Sequence, residues 1–163
     1  MQITHHGPGP PDQHGDGRAS ARRVHAQHAS IMVQVRQLTE ALTRLADADQ
    51  ADPPGLAREI ADRLARLGAE LDRHFEDEEI AGFVRLAAEA APRLTHRAEH
   101  IVGEHRGLRD TIGEVTRLAS GRSPAWDEVS DRFGRFVGLL REHEGKEDEL
   151  IQEALAEDLG GRG

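Results

Sequence analysis

Apolar residues recur along this chain at alternating steps of four and three, the spacing that puts side chains on one face of an α-helix. Four such stretches are legible, separated by helix breakers. The first reads Val24, His28, Ile31, Val35, Leu38, Leu42, Leu45, and predicts a helix from about Ala19 to Ala46 that stops at DADQADPPG. The second reads Ile60, Leu64, Leu67, Leu71, His74, Glu78. Asp52 stands before it as an N-cap and Pro53 at its first helical position; Gly82 is a place to bend or break, and helix can continue to Ala91. The third opens at Pro92, reads Leu94, Ala98, Ile101, His105, Leu108, Ile112, Val115, and runs to about Ala119 before SGRSP. Ser123 and Pro124 repeat the cap and first-turn signal for the fourth, which reads Val129, Phe133, Phe136, Leu140, His143, Glu147, Leu150, Ala154 and ends near Asp158. Short connections between long helices predict antiparallel neighbours, hence an all-α, up-down-up-down four-helix bundle over residues 19–158. Residues 1–18 and 159–163 are expected to be tails, the first disordered.

Composition agrees with that reading and narrows the function. Aromatics make up 3% of the 163 residues, there is no Tyr, and Ala, Leu, Arg and Glu dominate, residues that lose little freedom in a helix. The formal net charge of -9 and the scatter of Arg among Asp and Glu leave no basic face for phosphates, which argues against nucleic acid or an anionic membrane as partner. No apolar run approaches the roughly 20 residues of a membrane span, and MQITHHGPGPPDQHGDG lacks the apolar stretch of a secretory signal, so a cytoplasmic protein is expected. The absence of Cys excludes thiolate ligands, Cys nucleophiles and disulfides. His5, His6 and His14 fall in the Gly- and Pro-rich start, where no periodic element holds them, and are read as solvated.

The seams carry chemistry where they are interrupted. Helices two and four each place a Glu four residues after a His, so His74 with Glu78 and His143 with Glu147 can present an imidazole and a carboxylate to one point. His28 and His105 each stand alone where an aliphatic belongs. In an antiparallel bundle all six positions meet at one level. A lone seam histidine is ordinarily a satisfied core residue, and an HxxxE pair is common on charged helices. His100 and Glu104 have that spacing one position off the seam and are read as solvated. The six taken together differ, because two buried glutamates cost several kcal/mol each unless something positive compensates them, and no Lys or Arg lies on these seams. A pair of metal ions satisfies all six at once. Imidazole with carboxylate suits Fe, Mn or Zn, and two glutamates among four histidines suggest carboxylates bridging a di-iron site. His25, one turn before His28, is the alternative ligand if the register slips, but Val24 fits the seam better. Phe75, Phe83, Phe133 and Phe136 are read as packing residues and Trp126 as an anchor for the start of the fourth helix.

Through VHAQHASIMVQV, HFEDEEIAGF, EHRGLRDTI and REHEGKEDELI, over about residues 20–157, the chain resembles the hemerythrin-like family, the HHE cation-binding domain. The resemblance implies a left-handed bundle with two iron ions joined by an oxo or hydroxo bridge. His28 and His74 would ligate one, His105 and His143 the other, and Glu78 and Glu147 would bridge. Two departures from the oxygen carriers stand out. Ile101 occupies the first position of their His-x-x-x-His pair, and Glu147 follows His143 by four residues where they have His-x-x-x-x-Asp. By the carriers' coordination count two positions then stay open, unless Glu79 or Glu104 fills one; their expected role is solvent-facing charge. The expected function is binding of, or reaction with, oxygen, peroxide or nitric oxide, in sensing, scavenging or iron and oxygen handling. A peroxide-disproportionating, catalase-like enzyme is the alternative, and a metal-free structural bundle the third.

Overall fold

A computed structural model describes residues 13–47, 53–81 and 91–160. Four long helices, α1 (Gln13–Leu45), α2 (Pro53–Ala81), α3 (Thr95–Ala119) and α4 (Trp126–Gly160), are joined in part by a 3-10 turn at Pro92–Leu94. α1 packs on α2, α2 on α3, α3 on α4 and α4 back on α1, closing a ring. Consecutive helices are antiparallel: Gln27 meets Asp77 and Gln37 meets Arg63 across α1 and α2, Asp72 meets Arg109 and Glu79 meets His105 across α2 and α3, and Glu104 meets His143 and Glu114 meets Arg132 across α3 and α4.

Every seam position is buried except Leu45, which is half-buried. The ends depart more from expectation. α1 begins at Gln13, six residues before the expected start, and takes in residues 13–18 of the expected tail; adding residues to an existing helix is far easier than nucleating one. Pro92 heads the 3-10 turn, and α3 proper begins at Thr95. α4 begins at Trp126, so the Ser123-Pro124 signal falls two residues early. Its first helical bond runs from the Val129 N–H to the Ala125 carbonyl at 3.0 Å. The start is set by packing and charge. Trp126 is half-buried on the core, and Asp127 and Glu128 in the first turn complement the positive end of the helix dipole. Asp52 as a cap, Gly82 as a bend, helix over 82–90 and Phe83 lie outside the described residues, as do residues 1–12 and 161–163.

The core is in two parts. The larger cluster fills the bundle from Ile31 and Phe75 to Leu42, Leu56, Ala119 and Val129, with contributions from all four helices. The smaller consists of Ala21, Val24, Ala91, Leu94, Ala98, Ile101, Leu150, Ile151 and Ala154, none of them from α2. Between the two lies a layer of buried histidines and glutamates. Among the described residues no helix is long and apolar enough to cross a membrane.

Candidate metal centre

Within that layer the six seam residues converge. His28, His74, Glu78, His105, His143 and Glu147 are all buried, and Glu147 is wholly so. They form two overlapping groups, His28, His74, Glu78 and Glu147, and Glu78, His105, His143 and Glu147, in each of which one ligand atom per residue lies within 4.8 Å of the others. Both glutamates are shared. Glu78 turns Oε1 to His74 Nε2 at 3.5 Å and Oε2 to His105 Nε2 at 3.4 Å. Glu147 turns Oε2 to His28 Nε2 and Oε1 to His143 Nε2, both at 3.1 Å. Each carboxylate therefore faces one histidine pair with one oxygen and the other pair with the other. None of the four Nε2 atoms or four carboxylate oxygens makes a hydrogen bond. Buried polar atoms are rarely left so. Eight lone-pair atoms pointing at one another fit two cations better than they fit one another.

The outward ring nitrogens explain why the lone pairs point in. His105 Nδ1–H donates to Glu79 Oε1 at 3.0 Å and His143 Nδ1–H to Glu104 Oε2 at 3.1 Å. His74 Nδ1–H faces the Gln27 amide oxygen at 3.3 Å, and His28 Nδ1 lies 3.6 Å from Asp148 Oδ1. An oxygen that can only accept fixes the proton on Nδ1 and leaves Nε2 free as a ligand, the arrangement found behind metal-bound imidazoles. Glu79 and Glu104 are thus neither inward ligands nor idle surface charge. Arg109 donates to Glu79 at 3.0 Å and Lys146 to Glu104 at 2.7 Å. For Glu79, the bond from His105 and then Arg109 hold the carboxyl below its usual range; for Glu104, burial opposes the shift, but Lys146 and His143 outweigh it. Phe75 is fully buried, stacks on His105 with centroids 4.2 Å apart, and sits edge-on to His143 at 5.6 Å. It closes the layer against the larger cluster.

Charge is unevenly divided. Burial, then the neighbouring Glu147, pushes Glu78 up to about 10. Burial works against Glu147 too, but His105, His143 and His28 hold it below the ordinary carboxylate range. Of the two facing carboxyls, Glu78 is shifted toward its protonated form and Glu147 toward its ionised form. His74 is lowered to about 4, by burial and then by His28.

Two acidic residues that seam counting passes over also belong here. Glu144 is 8% exposed with Oε1 unpartnered, and burial first pushes its carboxyl up to about 7. Asp148 bridges His28 and His25. A signal for Glu144 was present, since it stands seven residues from both Val137 and Ile151, which are themselves buried. The off-seam histidines stand apart from the centre, whereas Glu79 and Glu104, expected as solvent-facing charge, back His105 and His143. His100 is 78% exposed, and His25 lies outside the six. Phe133 and Phe136 are buried in the core. A family model for the hemerythrin HHE cation-binding domain matches residues 20–155. No curated protein and no solved structure matches the chain.

Proposed function

Because the chain belongs to the hemerythrin family of HHE cation-binding domains, we propose that it holds two iron ions and uses them, in the cytoplasm, to bind or react with oxygen, peroxide or nitric oxide, in sensing, scavenging or iron and oxygen handling. One ion is assigned to His28 and His74, the other to His105 and His143, with Glu78 and Glu147 shared. Manganese or zinc suits the same donors. The observation that carries the reading is the splitting of each glutamate between the two histidine pairs, with all eight inward atoms lacking a hydrogen bond.

Bound iron supplies Lewis acidity and a store of electrons for a small diatomic or peroxide ligand. The residues of the chain do the rest. Glu79, Glu104 and Gln27 hold the outward ring nitrogens of His105, His143 and His74, so these imidazoles meet the ions without reorganising. Phe75 and the two apolar clusters keep bulk water from the layer.

Peroxide disproportionation is the second reading. Ile101, buried one turn before His105, favours it, because α3 then brings one imidazole to the centre where the oxygen carriers bring two. The test is anaerobic reconstitution with ferrous iron, elemental analysis, and optical spectra during addition of oxygen and then peroxide. Two equivalents per chain with a new near-ultraviolet band on oxygen addition are expected. Sub-stoichiometric metal would favour a structural bundle, and catalytic loss of peroxide would favour the enzyme.

A further inference from the structure

The six residues assigned as ligands are all buried, so a cation has to cross a helix–helix face to reach them. Three of the four faces are latched at this level. Between α1 and α2, Gln27 accepts from His74 and donates to Asp77 at 3.0 Å. Between α2 and α3, Arg109 binds Glu79 and lies 3.3 Å from Asp72. Between α3 and α4, Lys146 joins Glu104 to Glu142. On the α2–α3 and α3–α4 faces the carboxylate behind a histidine is itself held by a further donor, and on the α1–α2 face Gln27 passes its amide N–H on to Asp77.

The α1–α4 face differs. Asp148 Oδ1 lies 3.6 Å from His28 Nδ1 on the inner side and 3.2 Å from His25 Nε2 on the outer side, and among the described residues no Lys or Arg joins it. Its Oδ1, the Oε1 of Glu144 and the Nδ1 of His28 are buried and make no hydrogen bond. Glu144 stands one turn before Asp148 on the same face of α4, and directly follows His143. His25 adds a second, separate observation. Its Nδ1–H donates to the Ala21 carbonyl at 2.8 Å, which turns Nε2 toward the Asp148 carboxylate, 3.2 Å away. Imidazole and carboxylate each reach a divalent ion at about 2.0–2.2 Å, which a 3.2 Å separation accommodates.

We propose that the α1–α4 face is the path by which divalent cations reach the centre, with His25, Asp148 and Glu144 as successive transient ligands from solvent to His28. The proposal rests on reading the centre as a metal site. His25 and Asp148 are partly exposed and capture the hydrated ion; Glu144, buried and uncompensated, draws it inward; and the tighter set beyond retains it. Oxygen and imidazole donors without thiolate select hard or borderline divalent ions.

The test is uptake of Co(II) by metal-free protein, followed by stopped-flow absorption, with final stoichiometry from elemental analysis. Glu144→Gln and His25→Gln should each slow uptake roughly tenfold, the loss expected when electrostatic focusing is removed, yet fill to the wild-type level. Glu76→Gln, on the α1–α2 face, should leave the rate unchanged. Wild-type rates in Glu144→Gln and His25→Gln, or slowing confined to the α1–α2 variant, would overturn the path. A lower final stoichiometry in Glu144→Gln would overturn it differently, by making Glu144 a resident ligand. Failure of wild-type protein to take up cobalt would instead remove the metal-site reading on which the path depends.

Discussion

Each inward imidazole has an oxygen behind it, and the two glutamates among these, Glu79 and Glu104, are bonded in turn to a cationic donor. Glu104→Gln keeps an acceptor for His143 but removes the charge, and loss of such an outer partner costs on the order of 10–100-fold in metal affinity. Competition with a chelator measures this; unchanged affinity would return Glu104 to the role of surface charge. His74→Ala and Glu78→Ala should each abolish binding of two metals per chain, because each removes an inward donor. His100→Ala, at a side chain 78% exposed, should leave the stoichiometry intact. Loss of metal in His100→Ala alone would mean that the helix faces are wrongly assigned. Protonation gives an independent handle. In the metal-free fold Glu78 is raised from 4.5 to about 10, so between those values the folded chain holds a proton that the unfolded chain has lost, and its contribution to stability falls as pH rises. A metal ion must displace that proton. Calorimetric titration at neutral pH in buffers of different ionisation enthalpy should therefore show net proton release, and affinity should climb with pH through neutrality; binding without proton release would contradict a carboxyl kept protonated by its neighbour.

α3 is the element in which the chain parts most clearly from the oxygen carriers. Ile101 is 3% exposed and belongs to the smaller cluster, one turn before His105. Ile101→His should bring a further imidazole to the ion assigned to His105 and His143, suppress peroxide consumption per centre and lengthen the life of any oxygen adduct. Undiminished peroxide consumption at matched metal loading would show that open coordination does not set the reactivity. The four helices and their inward faces were legible in the sequence because a period of 3.6 survives substitution by His and Glu: His28 and Glu147 sit where an aliphatic would, and burial follows position. Helix ends were less legible. A Ser-Pro pair starts helices in general, but here the half-buried Trp126 and the acidic first turn place the start of α4 two residues on. Glu144 and Asp148 were missed because a stripe one residue wide was followed, whereas α4 buries a broader face that takes in Val137, Glu144 and Ile151. The roles of Glu79 and Glu104 were hidden for another reason, since side chains that approach a ring from a neighbouring helix leave no periodic trace.

For the whole molecule, metal and fold are coupled. Without ions the bundle encloses eight inward polar atoms that lack hydrogen bonds, so metal that binds only the folded chain should raise the melting temperature, and a chelator should lower it. Equal melting curves at verified metal loading would mean that the layer needs no compensation. The division of the core carries the consequence further. The smaller cluster is rich in Ala, draws nothing from α2, and is separated from the larger one by the polar layer. Among the described residues the two clusters share no buried apolar side chain, which leaves the His and Glu side chains as the tie between the two ends. Such a bundle need not open as one unit. In metal-free protein, amide protons around Ala98 and Leu150 should exchange through partial opening well below the global unfolding energy, while those around Leu64 and Phe136 exchange only on global unfolding. With metal bound the two sets should converge, because two ions held between them by residues from all four helices fasten one end of the bundle to the other.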